Sequence, residues 1–113
     1  MYSYLAKGLQ CQTCRGNQGE RGDCDVVQCR EGEDRCMAMT FRDMDNNENY
    51  WEKKCTTNSW CEKNDVLVCR EKYIELGGKH LIDKCKKVCS TANDVQVPKF
   101  PTGNIFNIKM IIH

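Results

Sequence analysis

The sequence predicts a small, disulfide-rich, all-β domain. Ten cysteines occur among 113 residues, an even number at a density typical of disulfide scaffolds. A chain of this length builds only one modest hydrophobic core, so cross-links are expected to supply much of its stability. From Cys36 to Arg42, apolar residues alternate with smaller or polar ones, which favours a strand with one buried face. The cysteines are Cys11, Cys14, Cys24, Cys29, Cys36, Cys55, Cys61, Cys69, Cys85 and Cys89.

Local patterns predict a strand, a turn and a hairpin in the first half of the chain. Residues 9–14 form a short candidate strand, and the glycine-rich stretch 16–22 is predicted to turn. After the alternating segment 36–42, residues 43–49 contain an Asp-Asn-Asn run that is typical of an exposed hairpin tip. Residues 50–56 return as the partner strand, so an antiparallel hairpin is expected here.

A further hairpin is predicted in the second half of the chain. Residues 66–69 lead into residues 73–74, Gly77 and Gly78 supply a turn, and residues 80–85 return. The two glycines also argue against a continuous helix, so no helix is predicted. Beyond Cys89 the composition changes and both prolines appear, which is typical of an extended linker. We therefore expect a domain over residues 9–92 and an extended linker or tail over residues 93–113. This tail would be the remnant of a second domain.

Charge and composition exclude several classes of function. Seventeen Lys and Arg residues are interspersed with sixteen Asp and Glu residues, whereas nucleic-acid binding requires a clustered basic excess. A basic group that includes Lys79, His80 and Lys84 is interpreted as a solvated face. Disulfides require an oxidising compartment, so we expect a secreted or cell-surface protein.

The two ends of the sequence agree only partly with that location. Residues 1–8 are too short and polar for a signal peptide, which suggests a mature form with an added Met or an incomplete gene model. No stretch is long enough to span a membrane. Residues 105–113 lack the long hydrophobic end of a lipid-anchor signal, so the C-terminus does not support a lipid anchor.

The sequence predicts neither catalysis nor a bound cofactor. The only histidines are His80 and His113, and neither can be placed beside a nucleophile and an orienting acid. Zinc binding through the Cys11–Cys14 and Cys85–Cys89 pairs is an alternative, but it leaves six cysteines unexplained. The oxygen-rich run over residues 43–48 lacks the ligand ladder and flanking helices of a calcium loop, so no metal site is predicted.

One short motif and the cysteine spacing after it carry a family resemblance. The motif Leu9-Gln10-Cys11-Gln12-Thr13-Cys14 looks like the opening of a three-finger domain of the lymphocyte antigen 6 and urokinase receptor family. The resemblance continues through Cys24, the Cys29–Cys36 spacing and the Cys55–Cys61 spacing, and it covers roughly residues 9–92. It implies a cysteine-stapled base that carries three hairpin loops, the fingers. The family would bind other proteins and perform no chemistry.

The resemblance also implies part of the disulfide pattern. In such domains the first bridges would be Cys11–Cys36, Cys14–Cys24 and Cys29–Cys55. The C-terminal third departs from the family pattern. Cys69 is an additional cysteine, and three residues separate Cys85 from Cys89 where the family has four. We favour Cys61–Cys85 with Cys69–Cys89, which ties both ends of the third finger to the base. Two other pairings stay open: Cys61–Cys69 with Cys85–Cys89, and Cys61–Cys89 with Cys69–Cys85.

A second resemblance suggests narrower functions. Residues 97–104 resemble the segment that joins two such domains in the gamma-type phospholipase inhibitors, which are related to salamander courtship-pheromone precursors. The expected function is an extracellular protein-binding module of receptor, accessory or secreted-ligand type. The alternatives are a secreted phospholipase inhibitor and a pheromone-like or toxin-like soluble signal.

Two groups of residues are candidate contacts for a partner. Arg21, Gly22 and Asp23 form a triplet that can present a guanidinium and a carboxylate to an integrin from within the first finger. The second finger, residues 42–51, has a polar tip flanked by aromatic residues, which are favoured at interfaces. The candidate contacts there are Asp43, Asp45, Tyr50 and Trp51.

Overall fold

A five-stranded antiparallel sheet forms the body of the domain. The computed structural model describes residues 8–17, 22–93 and 95–100. The elements are β1 (Gln10–Asn17), β2 (Asp25–Gln28), β3 (Arg35–Asp43), β4 (Glu48–Thr56), α1 (Asn58–Cys61), α2 (Asp65–Glu75) and β5 (Ile82–Ser90). The strands lie in the order β2-β1-β4-β3-β5. With its five disulfides, this sheet confirms the predicted class of a small, disulfide-rich β domain of three-finger type.

Strand β3 of the second hairpin, β3–β4, supplies the core. The prediction of a single buried face was wrong, because Ala38 (0% exposed) and Thr40 (7%) are buried on the opposite face as well. Met37, Met39 and Phe41 point to one face of β3, where they are buried against Val68 of α2 and Cys85 of β5. Side chains two residues apart on a strand share a face, so this spacing alone directs all three toward the helix. The hairpin turns through Asn47, which has a positive φ of 57°, a conformation that Asn tolerates better than most residues.

The disulfide pattern confirms one expectation and corrects another. Cys11–Cys36, Cys14–Cys24 and Cys29–Cys55 are bridged, as the family resemblance implies. The favoured pairing of the last four cysteines was wrong, because Cys61 bonds Cys89 and Cys69 bonds Cys85. Helix α2 is the physical reason: it places Cys69 on the side of the helix that faces Cys85 of β5.

Helix α2 also replaces the first strand of the hairpin predicted for residues 66–85. The side chain of Asn64 accepts a hydrogen bond from the backbone N–H of Leu67, which caps the helix N-terminus. The negative charge of Asp65 in the first turn interacts favourably with the positive end of the helix dipole. The helix ends where Gly77 and Gly78 adopt positive φ angles of 84° and 71°. The glycines that suggested a hairpin turn therefore terminate a helix, and the expectation of no helix was wrong.

Strand β5 and the segment after it complete the fold. The predicted return strand is present, and β5 pairs with β3 along its length. Residues 95–100 have no regular secondary structure, and Val95 is buried while Thr40 donates a hydrogen bond to the Pro98 carbonyl. The boundary between a domain at 9–92 and a tail at 93–113 stays a prediction, and residues 101–113 lie outside the described part of the chain.

Candidate protein-binding site at the second hairpin

A cavity of about 420 Å³ lies between the second hairpin and the C-terminal half of α2. We call it the hairpin–helix cavity. The strands β3 and β4 supply its aromatic wall, and the helix with the loop after it supplies the opposite wall. Its lining residues include Phe41, Asp43, Tyr50, Glu52, Lys72 and His80. The cavity therefore combines an apolar surface with several charged groups, a composition common in binding sites.

A buried ion pair forms the inner end of this cavity. The Nζ atom of Lys72 lies 2.9 Å from Oε2 of Glu52, and their side chains are only 5% and 12% exposed. The same ammonium group lies 3.1 Å from a carboxylate oxygen of Glu75 and 5.2 Å from the centre of the Phe41 ring. Lys54 provides Glu52 with a second cation at 3.6 Å. These contacts compensate the desolvated charges and join the helix to the sheet.

The aromatic wall is held in place by stacking and by one hydrogen bond. Phe41 and Tyr50 are cross-strand neighbours whose ring centres lie 5.6 Å apart in a stacked arrangement. The Asn46 side-chain amide donates a 2.8 Å hydrogen bond to the Tyr50 hydroxyl. Tyr50 is half-buried, so part of this residue remains accessible to a ligand.

Trp51 also lines the hairpin–helix cavity, and its ring packs against the first finger. Its indole Nε1 donates a 3.2 Å hydrogen bond to the carbonyl of Asn17. Its ring lies so close to Gly22 that a Cβ atom added there would come within 3.0 Å of a ring carbon. This predicted contact residue therefore helps to hold the first and second fingers together.

Two predicted acidic residues meet a histidine at the tip of the second hairpin. The Asp43 side chain is only 7% exposed, and one of its oxygens lies 3.1 Å from Nδ1 of His80. Asp45 is about half exposed, and its carboxylate lies 3.9 Å from the same nitrogen. The backbone N–H of Asp45 donates a 2.9 Å hydrogen bond to the other Asp43 oxygen. These contacts connect the hairpin tip to the loop between α2 and β5.

The integrin-type triplet is only partly within the described residues. Arg21 lies outside them. Gly22 is half-buried beneath the Trp51 ring, whereas Asp23 is exposed beside Cys24. The structure thus tests neither the presentation of the triplet nor its role, which stays a prediction.

The structure brings together residues that the sequence did not connect. Asp43 and Tyr50 line the cavity, and Asp45 lies beside Asp43 at the hairpin end; their role as partner contacts stays a prediction. Lys72 and His80 were missed as their neighbours. Lys72 follows buried Val68 by four residues, a spacing that would have indicated the buried side of a helix once α2 was recognised. Nothing local in the sequence pointed to His80.

A second groove, of about 620 Å³, lies between α2 and β5 and is larger but carries fewer of the predicted contacts. It is lined by Tyr73, Leu81, Ile82 and Phe100 among others. Lys84 lies over the Phe100 ring, 5.8 Å from its centre.

Among the residues that the structure describes, no helix has the length and apolar character needed to cross a bilayer.

Comparison with known proteins identifies distant relatives of one kind. A urokinase plasminogen activator surface receptor of Mus musculus is 29% identical over 69 residues, which are 58% of this chain and 21% of the relative. The corresponding receptor of Rattus norvegicus is 28% identical over 79 residues, or 67% of this chain and 24% of the relative. The matches thus span less than a quarter of either relative.

Other comparisons add no relatives. No family model matches the chain, and no solved structure matches it. The branch of gamma-type phospholipase inhibitors receives no support from these searches. The resemblance first indicated by the cysteine spacing is nonetheless confirmed: the chain is similar to part of the urokinase receptors of the lymphocyte antigen 6 and urokinase receptor family.

Proposed function

We propose that the chain is an extracellular protein-binding module that contacts its partner through the tip of the second hairpin and the adjoining hairpin–helix cavity. The observation that carries the proposal is the position of this cavity beside a hairpin that two disulfides, Cys11–Cys36 and Cys29–Cys55, and a buried ion pair hold to the rest of the domain. The relatives are named as surface receptors, which supports binding at a cell surface.

The tip is suited to binding because it is exposed while its support is rigid. Met44 is 51% exposed at the hairpin end, and Asp45 and Glu48 are exposed beside it. The strands behind it are paired from Arg35 to Asp43, so little conformational entropy remains to be lost there on binding. Function on such scaffolds is typically carried by loops that a rigid frame positions.

The cavity beside the tip can receive a side chain of the partner. Tyr50 is half-buried, and Asp43 contributes a carboxylate to the lining. Aromatic residues in partly desolvated pockets are common among the residues that dominate interface energies. The contact would therefore combine an exposed loop with one anchored side chain.

A paired set of variants tests this location. Met44→Ser with Glu48→Lys alters the tip, and Val26→Ser with Asp25→Lys makes the same type of change on β2, where Val26 is 53% exposed. The disulfide-bonded chain, assembled as a fluorescent tetramer, would be screened against cells that each display one extracellular protein. We expect the tip variant to lose at least about tenfold in affinity for the partner and the β2 variant to keep it.

Two results would contradict the proposal. Failure to bind any protein in a broad extracellular panel would argue against a binding module. Equal affinity of the tip variant and the wild type for the partner would show that the partner binds a different surface of the domain. Disulfide mapping of both variants checks that neither has changed the fold.

Narrower partners follow from the sequence and can be included in the same screen. An integrin would bind through Arg21, Gly22 and Asp23, and adhesion of integrin-bearing cells should then fall for Asp23→Glu. A secreted phospholipase would be inhibited in a lipolysis assay. Because Asp23 is exposed and distant in sequence from the second hairpin, the Asp23 variant separates integrin binding from contact through the tip.

A further inference from the structure

We propose that Asp43, Asp45 and His80 form a binding site for a transition-metal dication of the Zn²⁺ type. The three side chains come from the end of β3, the hairpin turn and the loop between α2 and β5. Their ligand atoms, two carboxylate oxygens and one imidazole nitrogen, all lie within 4.8 Å of one another. The site would therefore cross-link the second hairpin to the loop after α2.

The distances suit a metal with short bonds. Zn²⁺ binds imidazole nitrogen and carboxylate oxygen at about 2.0–2.2 Å, which places tetrahedral ligand atoms about 3.4 Å apart. Nδ1 of His80 lies 3.1 Å from the Asp43 oxygen and 3.9 Å from the Asp45 oxygen, on either side of that value. Asp45 is about half exposed, so its side chain can rotate by the small distance that remains. Three protein ligands would leave one position open to solvent.

The environment of Asp43 is the independent reason to expect a cation. Its side chain is 7% exposed, and burying a carboxylate is unfavourable unless its charge is compensated. Among residues 8–17, 22–93 and 95–100, no Lys or Arg nitrogen lies within 4.0 Å of this carboxylate, and His80 is its one basic neighbour. A dication bound between Asp43 and His80 would place positive charge directly against this buried carboxylate.

The second oxygen of Asp43 is already engaged in a way that suits a ligand. It accepts the 2.9 Å hydrogen bond from the backbone N–H of Asp45, which fixes the orientation of the carboxylate. Carboxylates that bind metals are typically held by such outer hydrogen bonds. The oxygen that faces His80 is thereby left for the metal. The imidazole nitrogen favours Zn²⁺ over Ca²⁺, which takes oxygen ligands.

Calorimetric titration with zinc chloride tests the site. The full disulfide-bonded chain, freed of metal by chelation, would be compared with His80→Gln, Asp45→Asn and the control Glu48→Gln, which removes an exposed carboxylate from the same hairpin. We expect one Zn²⁺ per wild-type chain, at least about tenfold weaker binding for His80→Gln and Asp45→Asn, and unchanged binding for the control. An NMR shift of the His80 ring nitrogens on zinc addition would identify the ligand.

Either of two results would overturn the proposal. One is the absence of saturable Zn²⁺ binding by the wild-type chain. The other is a His80→Gln chain that binds Zn²⁺ as tightly as the wild type, which would place the metal elsewhere. His80 and Asp45 are both about half exposed, and disulfide mapping of their variants shows whether the fold is retained.

Discussion

Removal of the Lys72 ammonium group should destabilise the domain more than any surface charge change. Lys72→Met keeps most of the side-chain volume but leaves the Glu52 carboxylate, 12% exposed, without its 2.9 Å partner. Breaking a buried ion pair costs about 3–5 kcal/mol. Lys54, 3.6 Å from the same carboxylate, compensates part of the loss, so we expect about 3 kcal/mol, the lower end of that range. Urea unfolding of the disulfide-bonded protein, followed by circular dichroism, measures this change in the free energy of unfolding.

Two companion variants make the experiment decisive. Lys63→Met breaks the exposed pair of Lys63 with Glu71 and should change the free energy by less than about 1 kcal/mol. Lys72→Met combined with Glu52→Leu removes both buried charges and should recover most of the stability, because apolar replacements of buried pairs are often neutral. A cost below about 1 kcal/mol for Lys72→Met alone would refute the reasoning, since the pair would then behave like a surface pair.

Three further changes test the close packing and the helix ends by the same unfolding measurement. Gly22→Ala places a Cβ atom 3.0 Å from the Trp51 ring, so it should lower the free energy of unfolding by about 1–3 kcal/mol and shift the tryptophan emission. The control Gly8→Ala, whose Cβ would lie 3.4 Å from its nearest side-chain atom, should change neither. Asn64→Ala removes the N-terminal cap of α2 and should cost about 1 kcal/mol. Gly77→Ala, at a φ of 84°, should cost about 1–2 kcal/mol; no loss would contradict the assigned helix end.

The parts of the fold that the sequence predicts are those set by local alternation or by family spacing. The burial of Met37, Met39 and Phe41 follows from strand periodicity, and the hairpin tip follows from turn-forming residues. The first three disulfides follow from the resemblance to known three-finger domains, not from periodicity. Neither kind of signal identified helix α2, which follows Cys61 along the chain.

Beyond that point two physical ambiguities defeated the prediction. The run Val66-Leu67-Val68 is rich in β-branched residues, but the capped N-terminus at Asn64 and contacts between α2 and the sheet outweigh that preference. Paired glycines terminate helices as readily as they form hairpin turns, because both require positive φ. Once α2 was read as a strand, the partner of Cys69 could not be assigned correctly.

The helix also determines which part of the domain is available for binding. It covers the face of the sheet that carries Met39 and Phe41, so these side chains form core rather than recognition surface. Trp51 is engaged by its contacts with Asn17 and Gly22, although it also lines the cavity. Residues of the sheet that looked like an aromatic interface are thus largely engaged within the domain. What remains is the end of the second hairpin, where Tyr50 is half-buried and the acidic residues meet His80, and this is why we place binding there and not on the flat of the sheet.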